Sequence, residues 1–186
     1  VPHPFVRAIV INGAPAPSSL PAAGSLAAKP AGGEGGTGFR MIDATAADVA
    51  DFEAFTRFLV TKLGDTRGEW LVQDCMRPHP DLSGIAMKAL PTCRITTLYN
   101  EHGEPEIVTH ALRFPSNPES HVDNIKSGGL MAPIDLATGR LGVGCRGRGL
   151  GEFPTHPVTG APIEGLQLPM WDEAKALVTS VHKRAF

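Results

Sequence analysis

The amino-acid sequence predicts an α+β fold with mostly antiparallel sheets. Two pairs of apolar, β-rich runs are joined by short glycine-bearing turns, and only two segments show helical spacing. The adjacent hairpins argue against the regular strand–helix–strand alternation of a wound parallel sheet.

The elements follow in order. Val6 to Ile11 reads as a strand closed by an Asn12-Gly13 turn, and Pro15 to Ala23 as a proline-rich connection. Leu26 to Pro30 is a short strand that must stop at Pro30, which has no N–H for the ladder. Five glycines fall between Gly32 and Gly38, and Phe39 to Ile42 resumes extended chain. Over 45–64, Val49, Phe52, Phe55, Leu59 and Leu63 recur at three- and four-residue spacing and predict a helix. Asp43 or Thr45 would cap its start, and Lys62 and Gly64 its end; Phe52, Phe55 and Phe58 are assigned to the core. Trp70 to Cys75 reads as a buried strand. Arg94–Tyr99 and Ile107–Phe114 form a hairpin across Asn100 to Glu104, and Leu130–Asp135 with Arg140–Cys145 form another around Ala137-Thr138-Gly139. A last helix is expected from Trp171 to about Arg184, with acids in its first turn and bases in its last.

Composition narrows the function classes. The chain has 186 residues, 42% of them hydrophobic, enough for one domain or for one domain and part of another. The 17 Lys and Arg nearly balance 19 Asp and Glu, so no basic field points to a nucleic-acid partner. Glycine and proline number 21 and 17, which marks a loop-rich globular protein. No apolar run approaches the ~18 residues of a membrane span, and the first residues lack a secretory pattern. Cys75, Cys93 and Cys145 are odd in number and widely spaced, so neither a disulfide scaffold nor a zinc ribbon is expected, and a reducing cytoplasm is.

Among residues that could carry chemistry, Lys29 and the glycines after it stand out. Glycine amides can approach phosphate oxygens closely because no Cβ intervenes, and a lysine at the preceding strand end adds a point charge. The pattern is neither a Walker A loop nor a dinucleotide fingerprint, and a ligand-free surface loop is the competing reading. His79, His156 and His182 match no metal-ligand spacing; His79-Pro80 and His156-Pro157 read as turn residues. Cys75 and Cys93 read as inert small hydrophobes within strands. Arg146 and Arg148 read as part of a solvated loop.

Read together, five blocks resemble the ATP-grasp superfamily. Lys29-Pro-Ala-Gly-Gly-Glu-Gly-Gly-Thr-Gly38 resembles its phosphate-covering loop, and Trp70-Leu-Val-Gln-Asp74 its adenine-binding hinge. Arg94, Ala111-Leu-Arg113 and Asn124-Ile-Lys-Ser-Gly-Gly129 follow its order of two arginines and N-x-x-x-G-G. The stretches 122–139 and 156–171 are similar, more narrowly, to the sugar-transfer-associated ATP-grasp family. The resemblance spans about residues 26 to 186.

The resemblance implies an ATP-grasp core of two small α+β lobes with nucleotide in the cleft between them. Its expected divisions are a partial N-terminal segment and linker (1–25), a glycine-loop lobe (26–69) and a C-terminal lobe (70–186). Lys29 would touch the ATP phosphates, Gly33, Gly35, Gly36 and Gly38 would let the loop close, and Gln73 and Asp74 would face adenine or ribose. Arg94 and Arg113 would neutralise the transferring phosphoryl group and an acyl phosphate, while Asn124 and Gly128-Gly129 would line the acceptor or phosphate side. The implied cofactors are ATP and Mg²⁺. The implied activity is an ATP-dependent carboxylate–amine or carboxylate–thiol ligase, acting on a small carboxylate and amine and linked to surface-polysaccharide assembly.

The family's Mg²⁺ ligands, an acid and a Glu-x-Asn on two further strands, have no counterpart before Phe186, so the core is expected to be incomplete at its C-terminus. Asp135 and Glu164 are the remaining candidates for a cation. An uncovered sheet edge would favour self-association. The alternative function is a non-catalytic nucleotide-binding or partner-binding remnant.

Overall fold

The computed structural model describes residues 6–33, 36–147 and 150–185. The chain is α+β and divides into two compact units, Val1–Met76 and Arg77–Phe186. The division differs from the expected breaks at 25/26 and 69/70, because the first two strands and the Trp70 strand are built into one sheet.

That sheet contains β1 (Val6–Ile11), β2 (Ala14–Pro17), β3 (Gly24–Pro30), β4 (Arg40–Ala44) and β5 (Glu69–Asp74), in the order β2-β1-β5-β3-β4. Every neighbouring pair is antiparallel. Part of the expected proline-rich connection is therefore strand: Pro15 and Pro17 lie opposite Val10 and Ala8 on an edge, where a missing N–H is tolerated. β5 ends at Asp74, so Cys75 falls outside it.

Helix α1 (Phe52–Leu63) starts later than its apolar spacing suggests. Asp51 is its cap, with Oδ1 accepting the Ala54 N–H at 2.7 Å. Thr45 instead opens a separate turn, donating its N–H and hydroxyl to the Asp48 carboxylate at 2.8 and 2.6 Å. Val49 therefore lies outside the helix but still packs on the core. Phe52, expected inside, is 51% exposed at the first helical position. Phe55, Phe58, Leu59 and Leu63 meet Ala8, Val10, Leu26, Ala28, Ile42, Trp70 and Val72, so α1 covers one face of the sheet. Strand alternation puts Ile9, Lys29, Met41, Leu71 and Gln73 on the other.

The second unit opens with a 3-10 turn (Pro80–Leu82) and the short helix α2 (Ser83–Ala86). Its sheet contains β6 (Thr92–Tyr99), β7 (Pro105–Phe114), β8 (Leu130–Pro133), β9 (Gly144–Arg146) and β10 (Leu150–Phe153), in the order β10-β9-β8-β7-β6. The β6–β7 hairpin turns where expected: Asn100 Oδ1 accepts the His102 and Glu104 N–H groups at 3.0 Å each. The second hairpin is shorter than its apolar runs, with Met131 opposite Cys145 and a bridge from Ile134 to Leu141. Cys93 is exposed on β6 rather than packed inside, and all three cysteines are free.

Leu112, Phe114, Leu130, Ala132, Ile134, Leu141, Ile163 and Leu168 form this unit's core, closed by Trp171 at the start of α3 (Trp171–Ala185). The Trp171 indole N–H donates to the Leu136 carbonyl at 3.0 Å. Buried His156 donates from Nε2 to the Pro115 carbonyl at 2.7 Å, and its Nδ1 accepts the Val158 and Thr159 N–H groups at 3.3 and 3.2 Å. It ties a turn together, as the sequence suggests. No helix among the described residues is long and apolar enough to cross a membrane.

Candidate functional site

Lys29 occupies the last full position of β3 before Pro30, opposite Leu71, and is exposed. Because Ile9 also lies opposite Leu71, and Ala16 opposite Ile9, one row across the open face reads Ala16, Ile9, Leu71, Lys29. The next row carries Gln73, Ala27 and Met41. Ile9 and Met41 are 43% and 39% exposed, so the lysine and the glutamine border an apolar platform. Among the described residues the Lys29 side chain makes no hydrogen bond or ion pair.

The glycine segment leaves β3 at once. Ala31 donates its N–H to the Glu69 carbonyl at 2.8 Å, and Gly33 donates to the Pro30 carbonyl at 3.2 Å. Gly36 and Gly38 have φ of +79° and +77°. At Gly38 a Cβ would stand 2.8 Å from Pro30 Cγ, so both the backbone angle and the space require glycine. Gly35 lies outside the described residues.

Asp74 is placed differently from its neighbour. It lies opposite Leu26, on the edge of the α1-covered face, whereas Gln73 lies opposite Ala27 on the open face with Lys29. Both Asp74 oxygens are taken by Arg7: Nε donates to Oδ1 at 2.8 Å and Nη2 to Oδ2 at 2.7 Å. The carboxylate in turn raises the Arg7 guanidinium above its ordinary pKa, chiefly through the hydrogen bond. Sequence reasoning missed Arg7, because nothing local signals a partner 67 residues away.

In the second unit, register brings two arginines together. Arg94 lies opposite Ala111 and Arg113 opposite Thr92, so both arginines leave the face opposite Leu112 and Phe114 as diagonal neighbours. Met131, opposite Arg113, joins them. Arg94 is exposed and, among the described residues, its side chain makes no hydrogen bond or ion pair. Arg113 is held by two groups that the sequence did not single out. Its Nη2 donates to Thr92 Oγ1 at 3.0 Å and lies 3.5 Å from Asp123 Oδ1, and the Thr92 hydroxyl donates to Asp123 Oδ2. Asp123 is only 8% exposed.

Asn124 shapes the loop after Asp123. Its side-chain oxygen accepts the Lys126 N–H at 3.2 Å, capping a 3-10 turn (Ile125–Ser127), and its carbonyl accepts the Ser127 and Gly129 N–H groups at 2.9 Å each. Gly128 closes the turn at φ +89°, and a Cβ on Gly129 would run into the Asp123 carbonyl.

A metal finds less. Among the described residues no group of three or more His, Cys, Asp or Glu is arranged to hold an ion. The Asp135 Oδ1 accepts the Thr138 N–H at 2.7 Å and its hydroxyl at 2.6 Å, which sets the β8–β9 turn, and Glu164 is exposed. Neither residue belongs to a group of three or more such side chains among the described residues.

The chain therefore carries a lysine and glycine turn on one antiparallel sheet and two clustered arginines on another, in the order Lys29, Arg94, Arg113, Asn124. No curated protein and no solved structure matches it. The model of one family, described as sugar-transfer associated ATP-grasp, matches residues 16–186 and so takes in β3, β4 and β5 of the first sheet, the whole second sheet and all of these side chains. With the match running over nearly the whole length, the chain belongs to the sugar-transfer-associated ATP-grasp family.

Proposed function

We propose that this chain binds ATP through Lys29 and its glycine turn and serves an ATP-dependent ligation of a carboxylate to an amine or thiol, linked to surface-polysaccharide assembly. The observation that carries the reading is the position of Lys29: exposed, unpaired among the described residues, one residue before Pro30 and beside the apolar row of Leu71 and Ile9. An ammonium there suits phosphate oxygens, the platform suits a flat base, and the Gln73 amide supplies a donor and an acceptor for its edge. The backbone N–H groups around Gly36 and Gly38 would take further phosphate oxygens.

ATP-grasp proteins as a family use ATP and Mg²⁺; the ion offsets phosphate charge when bound. This chain's own contribution would be cationic. A carboxylate oxygen attacks the γ-phosphorus and ADP leaves; the amine or thiol then attacks the acyl carbon, loses its proton, and inorganic phosphate leaves. Arg94 and Arg113 would stabilise the negative charge that builds on the phosphoryl and acyl oxygens in both displacements. Asn124 and Gly128-Gly129 would shape the loop beside the acceptor.

A calorimetric titration of ATP, with and without Mg²⁺, tests the reading. Lys29→Ala is expected to weaken binding by roughly 10- to 100-fold, the worth of a charge-assisted contact, with no change in unfolding. Wild-type chain that fails to bind ATP in either condition overturns it.

A further inference from the structure

Arg113 is gripped by one corner. Its Nη2 has two partners, Thr92 Oγ1 at 3.0 Å and Asp123 Oδ1 at 3.5 Å, while its Nε is buried without an acceptor. A guanidinium that serves only to bridge two elements is expected to use its paired donors on the carboxylate, as Arg7 does on Asp74. Here the carboxylate is shared instead. Thr92 Oγ1 donates to one oxygen and relays the other contact, so Asp123 fixes the guanidinium without enclosing it. The anchor is firm: the Asp123 side chain is 11% exposed, against 26% for Arg113. Thr92 sits directly across the strand pair from Arg113, and Arg94 is the next residue on the same face of β6.

We propose that Thr92 and Asp123 are positioning residues, which hold the Arg113 guanidinium by Nη2 so that its Nη1 donors, together with Arg94, meet a phosphate or carboxylate oxygen on the open face of the sheet. This rests on the anion-binding role given to Arg94 and Arg113 above. Fixing the guanidinium beforehand removes the rotamer cost of binding, and the buried carboxylate keeps the local charge from being purely repulsive toward Arg94. Thr92 is suited to the task because its hydroxyl donates to Asp123 and accepts from Arg113 at once.

The test uses the whole chain and ATP as probe, with affinity measured by calorimetry for the wild type, Thr92→Val, Thr92→Ser, Asp123→Asn, Arg113→Gln and the Thr92→Val/Arg113→Gln pair. Thr92→Val is expected to weaken ATP roughly tenfold, as loss of a hydrogen bond to a charged group should. Thr92→Ser should restore binding to within about twofold, because it keeps the hydroxyl. In the Arg113→Gln background, Thr92→Val should have no further effect, since it acts through Arg113. Equal losses in both backgrounds, or no rescue by serine, would assign Thr92 a merely structural role and overturn the proposal. Should Asp123→Asn fail to fold, Thr92→Val, which removes one hydroxyl at constant shape, carries the test. Binding that depends on Arg113 but ignores Thr92 overturns this inference alone. Wild-type chain that binds no ATP overturns the proposed function and this inference with it.

Discussion

Arg7 and Asp74 face each other fork to fork across the first sheet, with two parallel hydrogen bonds of 2.8 and 2.7 Å. The pair joins the β1 bulge to the last residue of β5, and Arg7 Nη1 also donates to Ser19 at 3.1 Å. Arg7 precedes the segment that the family model matches, so this chain secures its β5 with a residue outside that segment. Replacing Arg7 by Lys keeps the charge but not the fork. We expect Arg7→Lys and Asp74→Asn each to lower stability by about 1–2 kcal/mol, the range for a half-buried bidentate pair. The double variant should cost less than the sum of the two, as urea denaturation of the three proteins would show.

Gly38 and Gly32 offer a controlled comparison within the glycine-rich segment. Gly38 has φ +77° and Pro30 at its back, whereas a Cβ on Gly32 would meet nothing within 4 Å. Gly38→Ala should destabilise the chain by about 1–2 kcal/mol, the cost of a left-handed non-glycine residue, while Gly32→Ala should be near neutral. Thermal unfolding of the two variants distinguishes them; equal midpoints would contradict the account.

Acid should reach the β8–β9 turn through Asp135. The Thr138 hydroxyl, then its N–H, holds this carboxyl below its ordinary value of 3.8. A group with a depressed folded pKa stabilises the protein above its unfolded pKa and loses that contribution as pH falls through the folded value. The Asp135 contribution should thus be intact above about pH 5, begin to fall as pH drops through the ordinary value of 3.8, and be gone only below the lower value of the folded state. Asp135→Asn should unfold with a shallower dependence on pH across that window, measured by denaturant midpoints between pH 2 and 6 (a range set by linkage, roughly).

Removal of His156 would leave three partners stranded in a buried turn: the Val158 and Thr159 N–H groups and the Pro115 carbonyl. Each unpaired buried group costs about 1–3 kcal/mol, so His156→Ala should lower stability by about 3 kcal/mol or more. A loss below about 1 kcal/mol in urea denaturation would show that these groups find other partners.

What could be read from the chain alone was local. Period-two runs and turn residues located β6, β7 and the Asn100–Glu104 turn, and Pro30 marked the end of β3, because those signals act over a few residues. The glycine spacing and the order of Lys29, Arg94, Arg113 and Asn124 carried the family resemblance. Tertiary structure decided the rest. The start of α1 depended on whether Asp51 or Thr45 found the free N–H groups, and Pro15 and Pro17 became strand only because β2 is an edge. Arg7 with Asp74, and Thr92 with Arg113 and Asp123, are separated by 67, 21 and 31 residues and meet only through strand register and loop closure. Register is a property of the assembled sheet, set by which faces are buried together, so no short window of sequence contains it.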